Sequence, residues 1–373
     1  MKKIICIFGT RPEAIKMAPV LRELRKKKDL FKTVVVVTAQ HREMLDQVLR
    51  LFNLQSDYDL NIMQGSQTLY YITTSALSRL EKVINRENPD FILVQGDTTT
   101  TFAATLAAFY QKVPVGHIEA GLRSYDRLNP YPEEVNRLLT DTLCDIHFAP
   151  TPTAKRNLLK ENIKKESIFV TGNTVIDALY LALKKPHRFR NSVLKKIDFS
   201  KKKIILLTAH RRENWGIPLE NICLSIKKLI HKYDDLEIVY PVHLNPKVKN
   251  VVYRILKNSP CIHLIKPLDY LDFVNLLNKC FLVLTDSGGL QEEAPSLAKP
   301  VLLLREVTER PEGVKAGTVR IVGLSKERIF RETCKLIENR RMYNRMAKSV
   351  NPYGDGKASP RIVNAILHYF RKK

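Results

Sequence analysis

Short apolar segments rich in β-branched residues alternate with amphipathic helical segments along the whole chain, and this series occurs twice. Strands that are apolar throughout and separated by helices indicate parallel sheets covered on both faces. The predicted strands are 4–8, 34–38, 91–95, 113–118 and 145–149 in the first series, and 204–208, 237–242, 261–265, 281–285 and 301–304 in the second. The sequence therefore predicts an α/β protein with two doubly wound, Rossmann-like domains.

The boundary between the domains is predicted just after a strand-like segment that ends at Val170. The first domain then covers 1–170 and the second covers 171–352. The last segment, 353–373, has the apolar spacing of a helix, and from this spacing alone it could pack on either domain. With two such domains, the natural binding site is the cleft between them.

The chain has 373 residues, of which 62 are basic and 38 acidic, so its formal net charge is +24. A basic patch that binds nucleic acid is one interpretation of this charge. The basic residues stand in short runs without interleaved aromatic residues, and they form no extended stripe. We therefore prefer a lysine-rich surface together with a small anionic substrate.

Several classes of protein are disfavoured by other features of the sequence. The apolar runs are far shorter than the roughly 20 residues of a membrane-spanning helix. Arg11 and Glu13 come too early for a secretory signal, so we expect a cytoplasmic protein. The six cysteines form no CxxC pair, and no HxH or HExxH array is present, so we expect reduced cysteines and no metal.

Polar residues just after predicted strands are the candidates for function, because doubly wound sheets bind ligands at the carboxyl ends of their strands. Arg11 and Lys16 follow the first strand near a predicted helix N-terminus, where they could hold a diphosphate. Asp97 and Glu119 follow two successive strands, and neighbouring strands would bring these carboxylates together for acid–base catalysis. Asp97 could instead cap a helix, and Glu119 could pair with Arg123.

The second half of the chain offers further candidates at strand ends. His210 and Arg211 follow a strand and suit an anion, whereas the segment around His243 could be a simple turn. Ser287, Gly288 and Gly289 begin a predicted helix whose backbone could approach a phosphate, and Glu293 lies where it could accept from ribose hydroxyls. Pro295 would shorten this helix. Arg310 adds another cation, and Glu133 and Arg137 could form an ordinary helix pair.

The motifs together resemble the non-hydrolysing UDP-N-acetylglucosamine 2-epimerases, and the resemblance spans essentially the full chain. Ten long motifs in one order are far more specific than any short pattern. They are FGTRPEAIKMAP (8–19), TAQHREMLDQVL (38–49), GDTTTT (96–101), EAGLR (119–123), TGNTVIDAL (171–179), HRRE (210–213), YPVHLNP (240–246), LTDSGGLQEEAPSL (284–297), TERPEG (308–313) and NPYGDGKAS (351–359).

The resemblance implies a glycosyltransferase-B-like fold with two domains across a cleft, in which the C-terminal helix returns to the first domain. It implies reversible conversion of UDP-N-acetylglucosamine to UDP-N-acetylmannosamine without metal or nicotinamide. The implied steps are elimination of UDP to a 2-acetamidoglucal and re-addition. Members of the family usually form homodimers, and their product typically feeds surface polysaccharide synthesis.

The resemblance also implies roles for individual residues. Asp97, Glu119 and Glu133 are the acid–base candidates, with His210 also catalytic and Arg137 nearby. The residues implied to contact the substrate are Arg11, Lys16, His210 and the 287–289 backbone at the UDP or its phosphates, Glu293 at the ribose, Phe273 and Leu268 at the uracil, and Arg310 at other polar groups. Leu268 stands where a glutamine is frequent, so a uracil contact there would need to run through the backbone.

A second substrate molecule activates the bacterial members of this family. The residues here that match this activator site are Gln40, Glu133, Arg211 and His243. Glu43 stands where glutamine is common and Ser66 where an arginine is found. Loss of an arginine and gain of a carboxylate should weaken diphosphate binding, so we expect weak or absent activation.

Three other functions compete with the implied one. A retaining glycosyltransferase of the same architecture would need an acceptor and would not exchange the C2 proton. A hydrolysing epimerase would release free N-acetylmannosamine. A nucleic-acid-binding module would rest on the net charge alone, and its binding would fall steeply with salt.

Overall fold

Strands and helices alternate throughout the computed structural model, which describes residues 1–39, 42–65 and 67–372 and their side chains except those of Arg42 and Glu43. The chain divides into two compact units. The first unit comprises Met1–Leu181 and Tyr353–Lys373, and the second comprises Ala182–Pro352.

A parallel sheet of seven strands forms the centre of the first unit. Its strands are β1 (Lys2–Phe8), β2 (Phe31–Val37), β3 (Tyr58–Asp59), β4 (Phe91–Gln95), β5 (Val115–Ile118), β6 (Ile146–Ala149) and β7 (Ile168–Val170). The helices along this part of the chain are α1 (Arg11–Lys26), α2 (Arg42–Phe52), α3 (Leu69–Glu87), α4 (Thr99–Tyr110), α5 (Glu133–Leu143), α6 (Pro152–Lys160) and α7 (Thr174–Leu183). The strand order is β3-β2-β1-β4-β5-β6-β7, which is the doubly wound order with its reversal between β1 and β4.

The second unit is built in the same way around a parallel sheet of six strands. Its strands are β8 (Lys203–Thr208), β9 (Leu236–Pro241), β10 (Ile262–Ile265), β11 (Leu282–Thr285), β12 (Val301–Leu303) and β13 (Val319–Ile321). Its helices are α8 (Ile217–Lys232), α9 (Pro246–Leu256), α10 (Tyr270–Lys279), α11 (Gly288–Glu293), α12 (Pro311–Ala316), α13 (Lys326–Glu338) and α14 (Arg340–Ala347), and α15 (Ala358–Lys372) follows in the first unit. The order β10-β9-β8-β11-β12-β13 reverses between β8 and β11.

The prediction of two doubly wound sheets is confirmed, because the apolar strands are buried on both faces. All five residues of β4 are buried, as are the four of β5 and of β11. Two short strands escaped the sequence prediction. β3 has two residues, and β13 has three with Arg320 at its centre, so neither presents the apolar run that marks a buried strand.

The two units separate after Leu181, whereas the predicted boundary lay after Val170. The reason is that the start of α7 is attached to the first unit through the returning C-terminal chain. The backbone N–H groups of Ala358 and Ser359 donate to the carboxylate of Asp177 at 3.1 and 2.8 Å. Burial raises the pKa of Asp177, although these donors partly oppose the rise.

Helix α15 belongs to the first unit because its apolar face is buried there. Ile362, Val363 and Ile366 are fully buried. The ring of Phe370 lies 6.3 Å from that of Phe31 and 5.8 Å from that of Phe91, measured between centroids. The spacing of apolar residues predicted this helix but could not select its partner, which the packing decides.

We expect Ile366→Ala to lower the free energy of unfolding of the first unit by roughly 2–5 kcal/mol, because it removes a buried side chain and leaves a cavity. Asn364→Ala, at an exposed position of the same helix, is the matched control and should change stability little. Urea denaturation measures the free energy of unfolding of each variant, and amide hydrogen exchange in β1 and β4 reports on the first unit. Equal stability of the two variants would show that α15 contributes little to this core.

Candidate functional site

Glu119 follows β5 and accepts hydrogen bonds from three side chains of the first unit. The ammonium of Lys16 lies 2.7 Å from Oε1 and 2.5 Å from Oε2. The amide of Gln95 donates to Oε2 at 2.6 Å, and the amide of Asn173 donates to Oε1 at 2.9 Å. Only 7% of Glu119 is exposed, so this carboxylate is buried, and its donors include the Lys16 cation and two neutral amides.

The backbone at Glu119 adopts a conformation that a non-glycine residue rarely takes. Its φ is +72°, in the left-handed region. The N–H groups of Glu119 and Ala120 both donate to the carbonyl of Phe148, at 3.1 and 3.2 Å, which fixes the turn. Such conformations cost of order 1 kcal/mol and persist where the surroundings determine them, which is common at functional sites.

Asp97 follows β4 and pairs with Arg137 of α5. The guanidinium donates to Oδ2 of Asp97 through Nη2 at 2.6 Å and through Nε at 3.0 Å. Burial alone would lower the pKa of Arg137, but Asp97 and Glu134 outweigh burial and raise it. Thr98, rather than Asp97, caps α4, because its hydroxyl accepts from the N–H of Thr101. The capping interpretation of Asp97 is therefore wrong.

Arg123 does not pair with Glu119 in the described part of the chain, so the ion pair suggested from the sequence is wrong. Its guanidinium contacts Asp141 at 2.6 Å and Glu161 at 2.6 and 2.7 Å. Asp141 is fully buried and also lies 2.6 Å from Nδ1 of His117. Burial would raise the pKa of Asp141, but His117 and Arg123 hold it well below its usual range.

Glu133 is the first residue of α5, as the motif around Pro132 predicted. The helix pair between Glu133 and Arg137 is not formed, because Arg137 contacts Asp97 and Glu134 instead. Oε2 of Glu133 is buried and has no hydrogen-bond partner among the residues that the structure describes. This oxygen is therefore an acceptor at the start of α5, one helical turn before Arg137, which contacts Asp97.

Glu13 connects the loop after β1, which leads to Arg11 and Lys16, with the loop after β4, which carries Asp97. It was not among the site residues predicted from the sequence. Its buried carboxylate accepts from the N–H groups of Gly9 and Thr10 at 2.9 and 2.7 Å. It also accepts from the hydroxyls of Thr98 and Thr101 at 2.5 and 2.9 Å. The pattern T-x-x-E at 10–13 is the signature of a capping box and could have indicated this role.

In the second unit, Asp286 organises the loop that carries His210. Asp286 follows β11 and is fully buried. Its Oδ2 accepts from the N–H groups of His210 and Arg211 at 2.7 and 2.9 Å and from the amide of Asn214 at 3.0 Å. Nδ1 of His210 lies 3.1 Å from Oδ1. Burial opposes ionisation of Asp286, but His210 and these backbone donors lower its pKa.

Asp286 was part of a quoted motif but was not predicted to be a site residue. Its position after β11, the neighbour of β8, is the signal that could have found it. The imidazole of His243 lies beside that of His210, with centroids 5.7 Å apart. Burial and the proximity of His210 lower the pKa of His243.

The segment 287–293 begins with Ser287 at the N-cap of α11, and Gly288 is buried under the guanidinium of Arg310. Helix α11 ends at Glu293 and continues as a 3-10 turn over Ala294–Leu297, so the shortening expected from Pro295 is found. Glu293 is 9% exposed, and the hydroxyl of Tyr270 lies 3.4 Å from its Oε1.

Glu309 holds three arginines in one cluster. It contacts Arg211 at 3.0 Å, Arg305 at 2.5 Å and Arg310 at 2.9 Å. Arg310 also pairs with Glu292. Burial would raise the pKa of Glu309, but Arg310 and the other two arginines lower it to about 2. The cluster brings Arg211 and Arg310, two predicted site residues, to the same carboxylate.

The remaining predicted residues lie at three places in the structure or outside its described residues. Arg11 is half-buried in the first turn of α1, Leu268 and Phe273 are half-buried at and just before the start of α10, and Gly289 is exposed in α11. Gln40, Ser66 and the side chain of Glu43 lie outside the described residues. The structure thus brings Lys16 to Glu119, Arg137 to Asp97, and the backbone of His210 and Arg211 to Asp286, and each of these carboxylates follows a strand.

Two doubly wound sheets with carboxylates and cations gathered at their strand ends define the class of the protein, an α/β enzyme of the Rossmann type. The family model described as UDP-N-acetylglucosamine 2-epimerase matches residues 22–367. The chain belongs to the UDP-N-acetylglucosamine 2-epimerase family, which confirms the resemblance found in its motifs.

Relatives and solved structures agree with this assignment. The Bacillus subtilis UDP-N-acetylglucosamine 2-epimerase is 52% identical over 372 residues, which are 100% of this chain and 97% of the relative. The UDP-GlcNAc 2-epimerase from Neisseria meningitidis, solved bound to UDP-GlcNAc, is 53% identical with a TM-score of 0.89, over 98% of this chain and 100% of that one. The S. aureus MnaA–UDP co-structure is 53% identical with a TM-score of 0.88, over 100% of this chain and 97% of that one.

None of the helices in the described residues combines the length and the apolar character that crossing a membrane requires. The same residues contain no group of three or more histidine, cysteine, aspartate or glutamate side chains arranged to hold a metal ion.

We expect Glu309→Gln to destabilise the second unit at pH 7 by roughly 1–2 kcal/mol, allowing for partial exposure of this carboxylate. The folded pKa of about 2 lies below the ordinary value of 4.5. The stabilisation is therefore complete above pH 4.5 and is lost as the pH falls toward 2. Denaturation of wild type and Glu309→Gln between pH 3 and 7 measures the difference in their free energies of unfolding. This difference should become smaller as the pH falls.

The matched control for this measurement is Glu306→Gln. Glu306 is an exposed carboxylate of the same loop and accepts from the N–H of Leu324. Its substitution should change stability little at any pH in this range. A difference between wild type and Glu309→Gln that stayed constant with pH would contradict the arginine cluster as its source.

Proposed function

We propose that this chain interconverts UDP-N-acetylglucosamine and UDP-N-acetylmannosamine by eliminating UDP to a 2-acetamidoglucal and adding it back. The observation that supports this most directly is the pair of carboxylates after neighbouring strands β4 and β5, each held by a cation. Asp97 is held by Arg137 and Glu119 by Lys16. Two such groups fit a reaction that removes a proton from one face of C2 and returns it on the other.

The reaction requires more stabilisation at C1, where the bond to the diphosphate breaks, than at C2. A proton on the carbon that bears the acetamido group is barely acidic. Cleavage of the bond between C1 and the diphosphate oxygen leaves positive charge at C1, which acidifies this proton, and the bonding electrons leave with UDP. Stabilising the departing diphosphate is therefore the larger part of catalysis. Arg11, Lys16 and His210 are the groups we assign to that task.

Three carboxylates are the proposed acid–base groups. Asp97 is paired with Arg137 and Glu119 with Lys16. Glu133 presents a buried oxygen without a hydrogen-bond partner among the described residues, which suits a group that exchanges a proton with the sugar. Arg137 would keep Asp97 oriented between cycles. On re-addition the proton reaches the opposite face of C2, and UDP attacks C1.

The second unit is proposed to bind the nucleotide. The backbone of 287–289 offers N–H groups to the phosphates, and Glu293 offers a buried carboxylate to ribose hydroxyls. Phe273 is assigned to the uracil and Leu268 to a contact through its backbone. Arg310 is held against Gly288 by Glu292 and Glu309, and so presents its charge beside this segment. The N. meningitidis relative solved with UDP-GlcNAc supports the choice of ligand.

The proposed enzyme is of the non-hydrolysing kind, in which the glucal and UDP stay bound until they recombine. Exclusion of water from the site would be the physical difference from a hydrolysing epimerase. Incubation with UDP-N-acetylglucosamine in heavy water should give UDP-N-acetylmannosamine with deuterium at C2 and no accumulation of free sugar. Proton NMR measures both products in one sample.

Each alternative gives a different result in the same experiment. Free N-acetylmannosamine with stoichiometric UDP would identify a hydrolysing enzyme. Undeuterated substrate recovered from folded protein would reject epimerisation by this route. A dependence of turnover on an added sugar acceptor would favour a glycosyltransferase.

Asp97→Asn and Glu119→Gln should each lower kcat by roughly 100-fold or more if the carboxylates transfer protons. Asp90→Asn is the matched control, because Asp90 lies at the amino end of the same strand that Asp97 follows, and it contacts Lys2 and Lys3. Initial rates in heavy water, followed as deuterium incorporation, measure the effect. Near-normal turnover in either site variant would remove that residue from the proposed proton transfer.

A further inference from the structure

Asn173 stands between the Glu119 carboxylate and the point where the chain returns from the second unit. It lies just after β7 and is 3% exposed. Its side-chain amide donates to Oε1 of Glu119 at 2.9 Å, and its backbone N–H donates to the carbonyl of Tyr353 at 2.7 Å. Tyr353 is the first residue of the returning segment. Asn173 therefore contacts both the Glu119 carboxylate and the returning segment.

The side chain of Asn173 is fixed at both ends of its amide. Its Oδ1 accepts from the N–H of Val175 at 3.1 Å, so the oxygen points into the start of α7 and the nitrogen points at Glu119. An amide held in this way presents a donor, never an acceptor, to the carboxylate. This orientation favours the ionised form of Glu119 and restrains its rotation.

The returning segment is seated closely on the residues next to Asn173. A Cβ on Gly172 would lie 3.3 Å from Cα of Gly354 and 3.4 Å from the carbonyl of Tyr353. Gly354 has a φ of +140° and Gly172 a φ of +87°, conformations that side chains rarely adopt. Arg361 of α15 donates to the carbonyl of Thr171 at 3.0 Å and to the carboxylate of Asp355 at 2.7 and 2.8 Å, and so connects the segment with the residue before Gly172.

We propose that Asn173 is a positioning residue that holds Glu119 in its working orientation, and that the seating of the returning segment 353–356 on Gly172 and Asn173 controls this contact. The inference rests on the proposed role of Glu119 in epimerisation. A shift of the segment would move the backbone of Asn173 and, with it, the amide that meets Oε1. Segment 353–356, where the chain enters the first unit again, would thereby influence the orientation of the Glu119 carboxylate.

Other charged groups near Glu119 also act on its carboxylate and bear on a test by titration. Lys16 contacts both of its oxygens from α1. Oε2 of Glu119 and Cγ of Glu13, from the same helix as Lys16, lie 3.9 and 4.0 Å from the place a Cβ on Gly96 would occupy. Asp97 follows in that loop, paired with Arg137. Lys16, Glu13, Asp97 and Arg137 all remain in the variants below, so their influence on Glu119 is common to wild type and variants.

The test is a titration of the Glu119 side-chain carbon by 13C NMR, with its signal assigned by its loss in Glu119→Gln. In Asn173→Ala the midpoint should rise by about one pH unit, since the ionised form loses one donor. In Asn173→Asp, which keeps the size of the side chain, a second carboxylate should raise it further. The acid limb of kcat/KM should move with the midpoint in the same order.

Gly354→Ala tests the control by the returning segment, because it strains this segment without touching Glu119. It should raise the midpoint in the same direction as Asn173→Ala. Asn157→Ala is the matched control, since this asparagine donates to the carbonyl of Gly121 in the same loop region and should leave the midpoint unchanged.

The outcomes separate the parts of the proposal. An unchanged midpoint in both Asn173 variants, with lowered thermal stability alone, would reduce Asn173 to a structural residue and overturn the inference. An unchanged midpoint in Gly354→Ala would overturn the control by the segment. A wild-type protein without epimerase activity, whose midpoints still follow the expected order, would overturn the proposed function and leave the positioning role supported.

Discussion

A buried carboxylate must be surrounded by donors, and this constraint shapes the functional end of both sheets. Glu119 is met by Lys16, Gln95 and Asn173, which come from three different segments that parallel strands bring to one edge. Asp286 is met in the same manner by the loop that carries His210. Each carboxylate therefore fixes the loops that donate to it, and those donors compensate the cost of burying it.

Cations contact carboxylates in both units. In the first unit Lys16 contacts Glu119 and Arg137 contacts Asp97, the carboxylates proposed to exchange protons with the sugar. In the second unit Glu309 gathers three arginines, and Arg310 lies against Gly288 at the start of α11. That arrangement concentrates positive charge beside a backbone suited to phosphate, as a departing diphosphate requires.

Positions at strand ends could be predicted from the sequence, whereas contacts with distant partners could not. Asp97 and Glu119 were predicted to follow neighbouring strands because those strands follow each other in the chain, and the sheet pairs β4 with β5. Arg123 pairs with Asp141 and Glu161, which no local sequence pattern connects with it. Asn173 was overlooked since a neutral amide in a quoted motif carries no visible chemistry until its neighbours are known.

The amino-acid sequence by itself determined the two doubly wound sheets, the strand ends at which chemistry could occur and the family of the protein. These follow from local periodicity and from motifs, both of which are properties of short segments. Only the tertiary structure decided which side chain pairs with which acid, that Thr98 rather than Asp97 caps α4, and that the chain beyond Pro352 packs on the first unit. Those choices depend on contacts between segments far apart in the chain, where competing partners differ by a few kcal/mol that no local pattern records.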